Sequence, residues 1–308
     1  MPVTERITAS YDALIGDVGL VDRSERGKLA LSGPEAKSFL TGQVTNDIEA
    51  LAPGSGCYAA LLTNKGKMLA DLRVIDARDE LWLDTERVAL QPLFDVIRRG
   101  MVGWQAQLHK RTVQQAILSL VGPRASEAVG GAIGPEHANR RGELGGAEVL
   151  LVATDLGIDV VCATEDGERV RTALRVPEVP EADAEVVRVE SGRPRYGVDV
   201  DDTTIPQEAG LNERAVSFSK GCYVGQETVA RLHYKGKPNR HLRGLRLSAP
   251  VPSGTPLLAG EREVGRLGSS VVSPRHGPIG LALVRREAAP GDELTAGAAT
   301  ATVVELPF

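Results

Sequence analysis

The strongest constraint on how this chain folds is a change of texture at about residue 240. From there it runs as short β-rich stretches, HLRGLRLS, EVGRLGSSVVS, PIGLALVRR and TATVVELPF, separated by Pro, Gly and Asp. Closely spaced short strands with turn formers between them predict a small closed β-domain, since closure leaves no strand edge unpaired. Before residue 240 the periodicity alternates instead. After a short helical start, GKLALSG reads as a strand and PEAKSFLTGQV as a helix with Pro34 at its first turn and Phe39 and Leu40 for burial. CYAALLTNKGKMLADLRVID reads as a hairpin turning at Asn64 and Gly66. ELWLDT adds a strand, and VALQPLFDVIRRG adds a helix with Leu93, Val96 and Ile97 on one side.

A looser echo follows from residue 112. TVQQAILSLVG is a strand, PRASEAVGG a short helix, AEVLLVATD and IDVVCAT a strand pair, and DGERVRTALR a helix. EADAEVVRVESG then suits a helix that enters the loop GRPRYGVDVDDTTIPQEAG. The expected class is therefore α+β: a first lobe over residues 1–111, a second over 112–239 and a β-barrel over 240–308.

Charge and cysteine usage restrict the function classes. With 36 Lys and Arg against 41 Asp and Glu, the net charge of −5 argues against broad affinity for nucleic acid or anionic membrane, so partners must be read locally. The opening MPVTERITASYDALIGD carries early acids in place of a signal peptide's apolar core, and no apolar run is long enough for a membrane helix, so the expected location is the cytoplasm. Cys57, Cys162 and Cys222 are too few and too scattered for a disulfide framework or a CxxC site, and the five histidines have no metal-ligand spacing. No metal site is expected.

The chemistry concentrates in a few stretches. KGCYVGQE places Cys222 between Gly221 and Gly225, beside Lys220 and Tyr223 and followed by Gln226 and Glu227. A neighbouring cation favours a thiolate and glycines permit close backbone approach, although a structural thiol in a glycine turn fits the same residues. Cys57 and Cys162 lie in or beside apolar strands and read as packing residues. Asp71 and Glu190 are carboxylates able to grip an amidine-like N–C–NH₂ edge, such as a pteridine's, and Arg193 and Arg195 could receive carboxylates. Taken alone, Asp71 reads first as a turn or sheet-surface residue and Glu190 as a solvated helix acid, and Asp199, Asp201 and Asp202, which could suggest a metal cluster, read instead as a solvated acidic turn because no ligand motif surrounds them. RLHYKGKPNRHLRGLR, residues 231–246, holds six Lys or Arg, two His and no acid. It suits phosphate, RNA, a polyglutamyl tail or an acidic protein, or else a solvated face.

Taken together, FLTGQVTNDIEAL, TNKGKMLADLRV, ESGRPRYGVDVDDTTIPQEAGL and above all KGCYVGQETVAR resemble the YgfZ-type folate-binding proteins, which are related to the glycine-cleavage T-protein. The resemblance implies a T-protein-like fold of two α+β lobes and a C-terminal β-barrel. It also implies binding of tetrahydrofolate or a one-carbon derivative, and a role in assembling, maintaining or repairing iron–sulfur proteins, including enzymes that thiolate transfer RNA. By that similarity Cys222 is the functional thiol, Lys220 and Gly221 shape its loop, and Asp71, Glu190, Arg193 and Tyr196 are candidate folate contacts. The implied partners are folate and iron–sulfur enzymes or their assembly machinery. Two departures separate the chain from aminomethyltransferases of the glycine-cleavage type. It has Ala70 and Asp71 where those carry adjacent acids, and KGCYVGQE where they read like KGDFIGRE. A noncatalytic, folate-regulated scaffold that docks partners through its basic segment is the third reading.

Overall fold

The computed structural model describes residues 3–308; Met1 and Pro2, at the head of the opening read above as non-secretory, lie outside the described residues. The first half runs α1 (Val3–Gly16), β1 (Gly19–Asp22), β2 (Gly27–Ser32), α2 (Ala36–Gln43), β3 (Gly56–Leu62), β4 (Met68–Asp76), β5 (Leu81–Thr85), α3 (Leu90–Gly100), β6 (Gln107–Lys110), β7 (Gln115–Val121), α4 (Ala125–Ala128), β8 (Asn139–Leu144), β9 (Ala147–Ala153), β10 (Gly157–Ala163) and α5 (Gly167–Leu174). The second half runs α6 (Glu181–Glu190), α7 (Asn212–Ala215), α8 (Gln226–Lys235), β11 (Arg240–Leu247), β12 (Pro256–Ala259), β13 (Arg262–Ser273), β14 (Gly277–Arg285), β15 (Glu293–Ala296) and β16 (Ala299–Val304).

The chain packs as two units. One comprises the residues up to Leu62 with Leu69–Ala184 and Arg214–Val224; the other comprises Thr63–Met68, Glu185–Glu213 and Gly225–Phe308. In the first unit, β3-β4-β5-β2-β6 form one five-stranded sheet and β1-β7-β10-β9-β8 a second. Ile75 and Trp82 of the first sheet, with Ala77 just past β4, pack on Ile117, Leu150, Val152 and Val161 of the second. The outer face of the second sheet buries Leu118, Leu120, Leu151 and Val160 against Val170 and Leu174 of α5. Helix α3 lies along β2 and buries Leu93 and Ile97, while Val96 stays half-buried.

A chain of charges also joins the two sheets. Arg73 of β4 pairs with Asp84 of β5 and, at 2.6 Å, with Asp159 of β10; Arg26 reaches Asp84 at 2.8 Å; Ser119 donates to Asp159 at 2.6 Å. Burial alone would raise the Asp84 carboxyl, but Arg73 and Arg26 overcome it and hold the group down at about 2.

The second unit is built on the closed barrel β11-β14-β13-β12-β15-β16, filled by Leu245, Leu257, Leu267, Val284, Leu294 and Val303. Val189, near the end of α6, packs with Leu242, Ile279 and Leu281. Five short strands, β1, β6, β8, β12 and β15, and the helices α7 and α8 were not legible as elements. The basic stretch 231–246 divides between the last turns of α8 and β11. In the hairpin turn, Gly66 has φ +75°, and a Cβ there would stand 2.8 Å from the Thr228 Cβ, so both backbone and space demand glycine.

Candidate functional site

In the first unit the segment bearing Cys222 is stitched to the end of α2. Thr45 donates from Oγ1 to the Ala215 carbonyl at 2.6 Å, and the Ser217 amide donates to the Thr45 carbonyl at 3.0 Å. Lys220, 9% exposed, points its ammonium at three carbonyls: Val44 at 2.7 Å, Asn46 at 3.0 Å, and Thr41. An ammonium has three protons, so all are spent on backbone acceptors. Two of those acceptors are carbonyls that the end of a helix leaves unpaired, where a cation is also favoured by the helix dipole.

The same nitrogen stands 4.7 Å above the Tyr223 ring, which is itself buried. Between these two anchored side chains, Gly221 and Cys222 are exposed. A Cβ on Gly221 would meet open space, so no close approach requires glycine there; Gly225, at φ +85°, does need its left-handed conformation. Cys57 on β3 is pushed up to about 12 by burial, with the Lys220 ammonium pulling it down. Burial in turn pushes Lys220 down to about 8, against the upward pull of Asp47, Cys57 and Glu49. Cys162 is buried in β10, as a packing thiol should be.

Asp71 is neither a turn residue nor a surface one. It lies in β4, 6% exposed, and its Oδ2 accepts the Tyr58 hydroxyl proton at 2.5 Å. Burial pushes its carboxyl up to about 6; Tyr58 and Arg26 pull it down and Glu86 pushes it further up. Tyr58 is capped by the Arg214 guanidinium, 5.4 Å from its ring centre, and Arg214 is held by Glu136. The first unit thus holds an acid that exchanges its proton near neutrality. Tyr58 and Arg214 were not singled out in the sequence.

In the second unit, Glu190 closes α6, and its Oε1 accepts from Ser273 Oγ while its carbonyl accepts the Phe308 amide at 3.0 Å. It is not a solvated helix acid. Tyr196 is buried, with its hydroxyl 3.3 Å from the Met68 carbonyl. The backbone of Arg193 brackets Arg188, its carbonyl accepting from the Arg188 guanidinium. Arg195 pairs with Glu185 at 3.1 Å.

Asp199 is likewise buried. It accepts from Arg188 at 3.0 Å, the Arg195 amide at 2.8 Å, and Ser269 through its amide at 2.7 Å and its hydroxyl at 2.9 Å. Asp201 is a turn residue holding Thr203 and Thr204. Gln226 and Glu227 open α8. Of the basic stretch, Arg240 is spent on Glu208 at 2.8 Å, Arg243 on Glu305 at 2.6 Å, and Arg246 lies 6.0 Å from the Phe308 ring centre. Arg231, Lys235 and Lys237 are exposed. Among the described residues no three His, Cys, Asp or Glu cluster as metal ligands, and no helix is long and apolar enough to cross a membrane.

Two facing antiparallel sheets with a six-stranded barrel define an aminomethyltransferase-type fold. The crystal structure of glycine cleavage system aminomethyltransferase T from Bartonella henselae superposes with a TM-score of 0.86 over 98% of this chain and 89% of that one, at 23% identity. The chain belongs to the GCVT N-terminal domain family, matched over residues 2–220, and residues 240–307 match the CAF17 C-terminal β-barrel domain. The YgfZ-type, T-protein-related resemblance holds. Similar proteins include an aminomethyltransferase of Thermotoga petrophila, 28% identical over 94% of this chain and 86% of its own length. Another is a chloroplastic protein of Arabidopsis thaliana named as a candidate transferase, 26% identical over 97% of this chain and 73% of its own length.

Proposed function

We propose that this protein binds tetrahydrofolate or a one-carbon derivative. It supports the assembly, maintenance or repair of iron–sulfur proteins, tRNA-thiolating enzymes among them, in the cytoplasm. Cys222 is its functional thiol. The observation that carries the reading is an exposed cysteine at the centre of KGCYVGQE on a chain of T-protein descent. The iron–sulfur enzymes and their assembly machinery are its partners. The three-domain division at residues 111 and 239 is part of the same proposal.

Each unit by itself offers groups that suit part of a folate: Asp71 in the first, and Glu190, Arg193 and Tyr196 in the second. An ionised carboxylate only accepts hydrogen bonds, at about four lone-pair sites on its two oxygens; Glu190 takes a bond from Ser273 and Asp71 one from Tyr58. Either could grip an N–C–NH₂ edge, Arg193 is suited to the glutamyl carboxylates, and Tyr196 is suited to the ring. Tetrahydrofolate, when bound, supplies nitrogens that carry a one-carbon unit. This chain's own contribution at Asp71 is a carboxyl that takes or gives a proton near pH 6.

Anaerobic calorimetric titration of the reduced protein with tetrahydrofolate, repeated with Glu190→Ala, tests the ligand. Saturable binding weakened by the substitution is the expected result, and no binding by folded protein removes folate from the proposal. Cys222→Ala in a strain lacking this protein tests the thiol: full support of iron–sulfur enzyme activity would remove it. Aminomethyl transfer stays as a second reading because relatives are named aminomethyltransferases and Asp71 is retained. Turnover in a glycine-cleavage mixture with lipoylated carrier protein decides it.

A further inference from the structure

The resemblance gives Lys220 a part in shaping the loop that presents Cys222 but does not say whether it also serves the thiol as an acid–base partner, and the geometry of the loop separates the two roles. Lys220 and Tyr223 are both turned inward, at 9% and 8% exposure, while the two residues between them are exposed. The loop is therefore pinned on either side of a protruding Gly-Cys pair. The upstream pin is the costlier one. A buried ammonium is tolerated only where its protons are fully accepted, and here the Thr41, Val44 and Asn46 carbonyls accept all three. Those partners lie 174 to 179 residues away along the chain. Thr45, between them, makes two more stitches, to Ala215 and Ser217.

We propose that Lys220 is a positioning residue: its ammonium, locked into the carbonyls at the end of α2, holds the segment from which Cys222 projects, and it is not the acid–base partner of that thiol. The inference rests on Cys222 as the functional thiol, but not on folate or on any client. Geometry leaves the ammonium no proton to donate to a thiolate. The charged and titratable groups that share its surroundings are Asp47, Glu49, Cys57 and the Tyr223 ring.

The test follows two readouts on the full chain, with Lys220→Met, Lys220→Arg and Lys220→Gln beside the parent. The first is the pH profile of iodoacetamide alkylation at Cys222, measured on its own proteolytic peptide so that Cys57 and Cys162 do not interfere. The second is amide hydrogen exchange across residues 216–224. The expected result is a Cys222 profile that moves by less than about 0.3 pH units in every variant. Exchange rises at least ~10-fold in Met, the fold-change for losing a single hydrogen bond to a charged group. Arginine keeps the charge but cannot converge three donors on one point, so it also fails to restore protection; glutamine, with two donors, falls between. If the methionine variant does not fold, the glutamine and arginine variants carry the same comparison. A Cys222 profile raised by about one unit or more in Met and Gln and normal in Arg, with exchange unchanged, would overturn the proposal and make Lys220 the thiol's electrostatic activator. Neither readout involves folate or an iron–sulfur client, so failure here is distinct from failure of the functional reading.

Discussion

Tyr58 and Asp71, on adjacent strands β3 and β4, share a proton-donating contact of 2.5 Å inside the first unit. The phenol stabilises the carboxylate, and burial opposes it with the larger effect, leaving the group near 6. Tyr58→Phe removes the stabilising partner, so Asp71 titrates higher still, by about one unit. The folded pKa already lies above the unfolded value of about 3.9, so the native state binds the extra proton between those values. Stability therefore falls as pH rises from about 4 to about 6, and Asp71→Asn removes that slope. The gain at pH 7 to 8 is at most ~3 kcal/mol. Carbon-13 carboxyl shifts report the pKa and urea melts across pH report the slope; a lower pKa in Tyr58→Phe would contradict the assignment.

Asp84 makes the opposite case. Its folded pKa of about 2 is below the unfolded value, so its contribution is complete above pH 4 and is lost as pH falls through 2. Asp84→Asn leaves Arg73 and Arg26 without their shared carboxylate and costs on the order of 3–5 kcal/mol at neutral pH. The variant's acid-limb slope should be shallower than the parent's in equilibrium denaturation.

Gly268 allows Asp199 to reach the barrel. A Cβ there would fall 2.5 Å from Asp199 Oδ1 and 3.0 Å from its Cα. Gly268→Ala should destabilise by about 1–3 kcal/mol, read as a lower urea midpoint with unchanged slope. Ser269→Ala removes one donor from the same carboxylate and should cost about 1 kcal/mol.

The basic stretch divides into cations with structural work and cations without. Arg240→Ala strands the buried Glu208 carboxylate and should cost about 2 kcal/mol or more. Replacing Arg231, Lys235 and Lys237 together by Ala should leave the melting midpoint nearly unchanged, each exposed site being worth within about 0.5 kcal/mol. If an acidic protein or RNA docks on this stretch, that triple variant, and not the ion-paired Arg240 and Arg243, weakens binding selectively at low salt without loss of fold.

The fold was largely legible because its signals are local. The turn at Gly66, the helix that buries Phe39 and Leu40, and the punctuated strands after residue 240 each announce themselves within a dozen residues. What escaped was set by distant neighbours. Asp71 looked like a surface acid because alternation describes one strand, whereas β4 is covered on both faces. Asp199 looked solvated because Ser269, its main partner, is 70 residues further on. Lys220 looked like a neighbour of Cys222 and faces α2 instead, a relationship no window around KGCYVGQE contains. Strands as short as β1 and β15, four residues each, carry too few alternations to register.

The first unit is written in the chain discontinuously: its strands are finished by residue 163, but it is completed only when residues 214–224 return to it. During synthesis, then, both sheets can close and seal away Cys162 before Cys222 has left the ribosome. The segment that carries Cys222 is the last part of that unit to be made, and until Lys220 is synthesised the Thr41, Val44 and Asn46 carbonyls lack its ammonium.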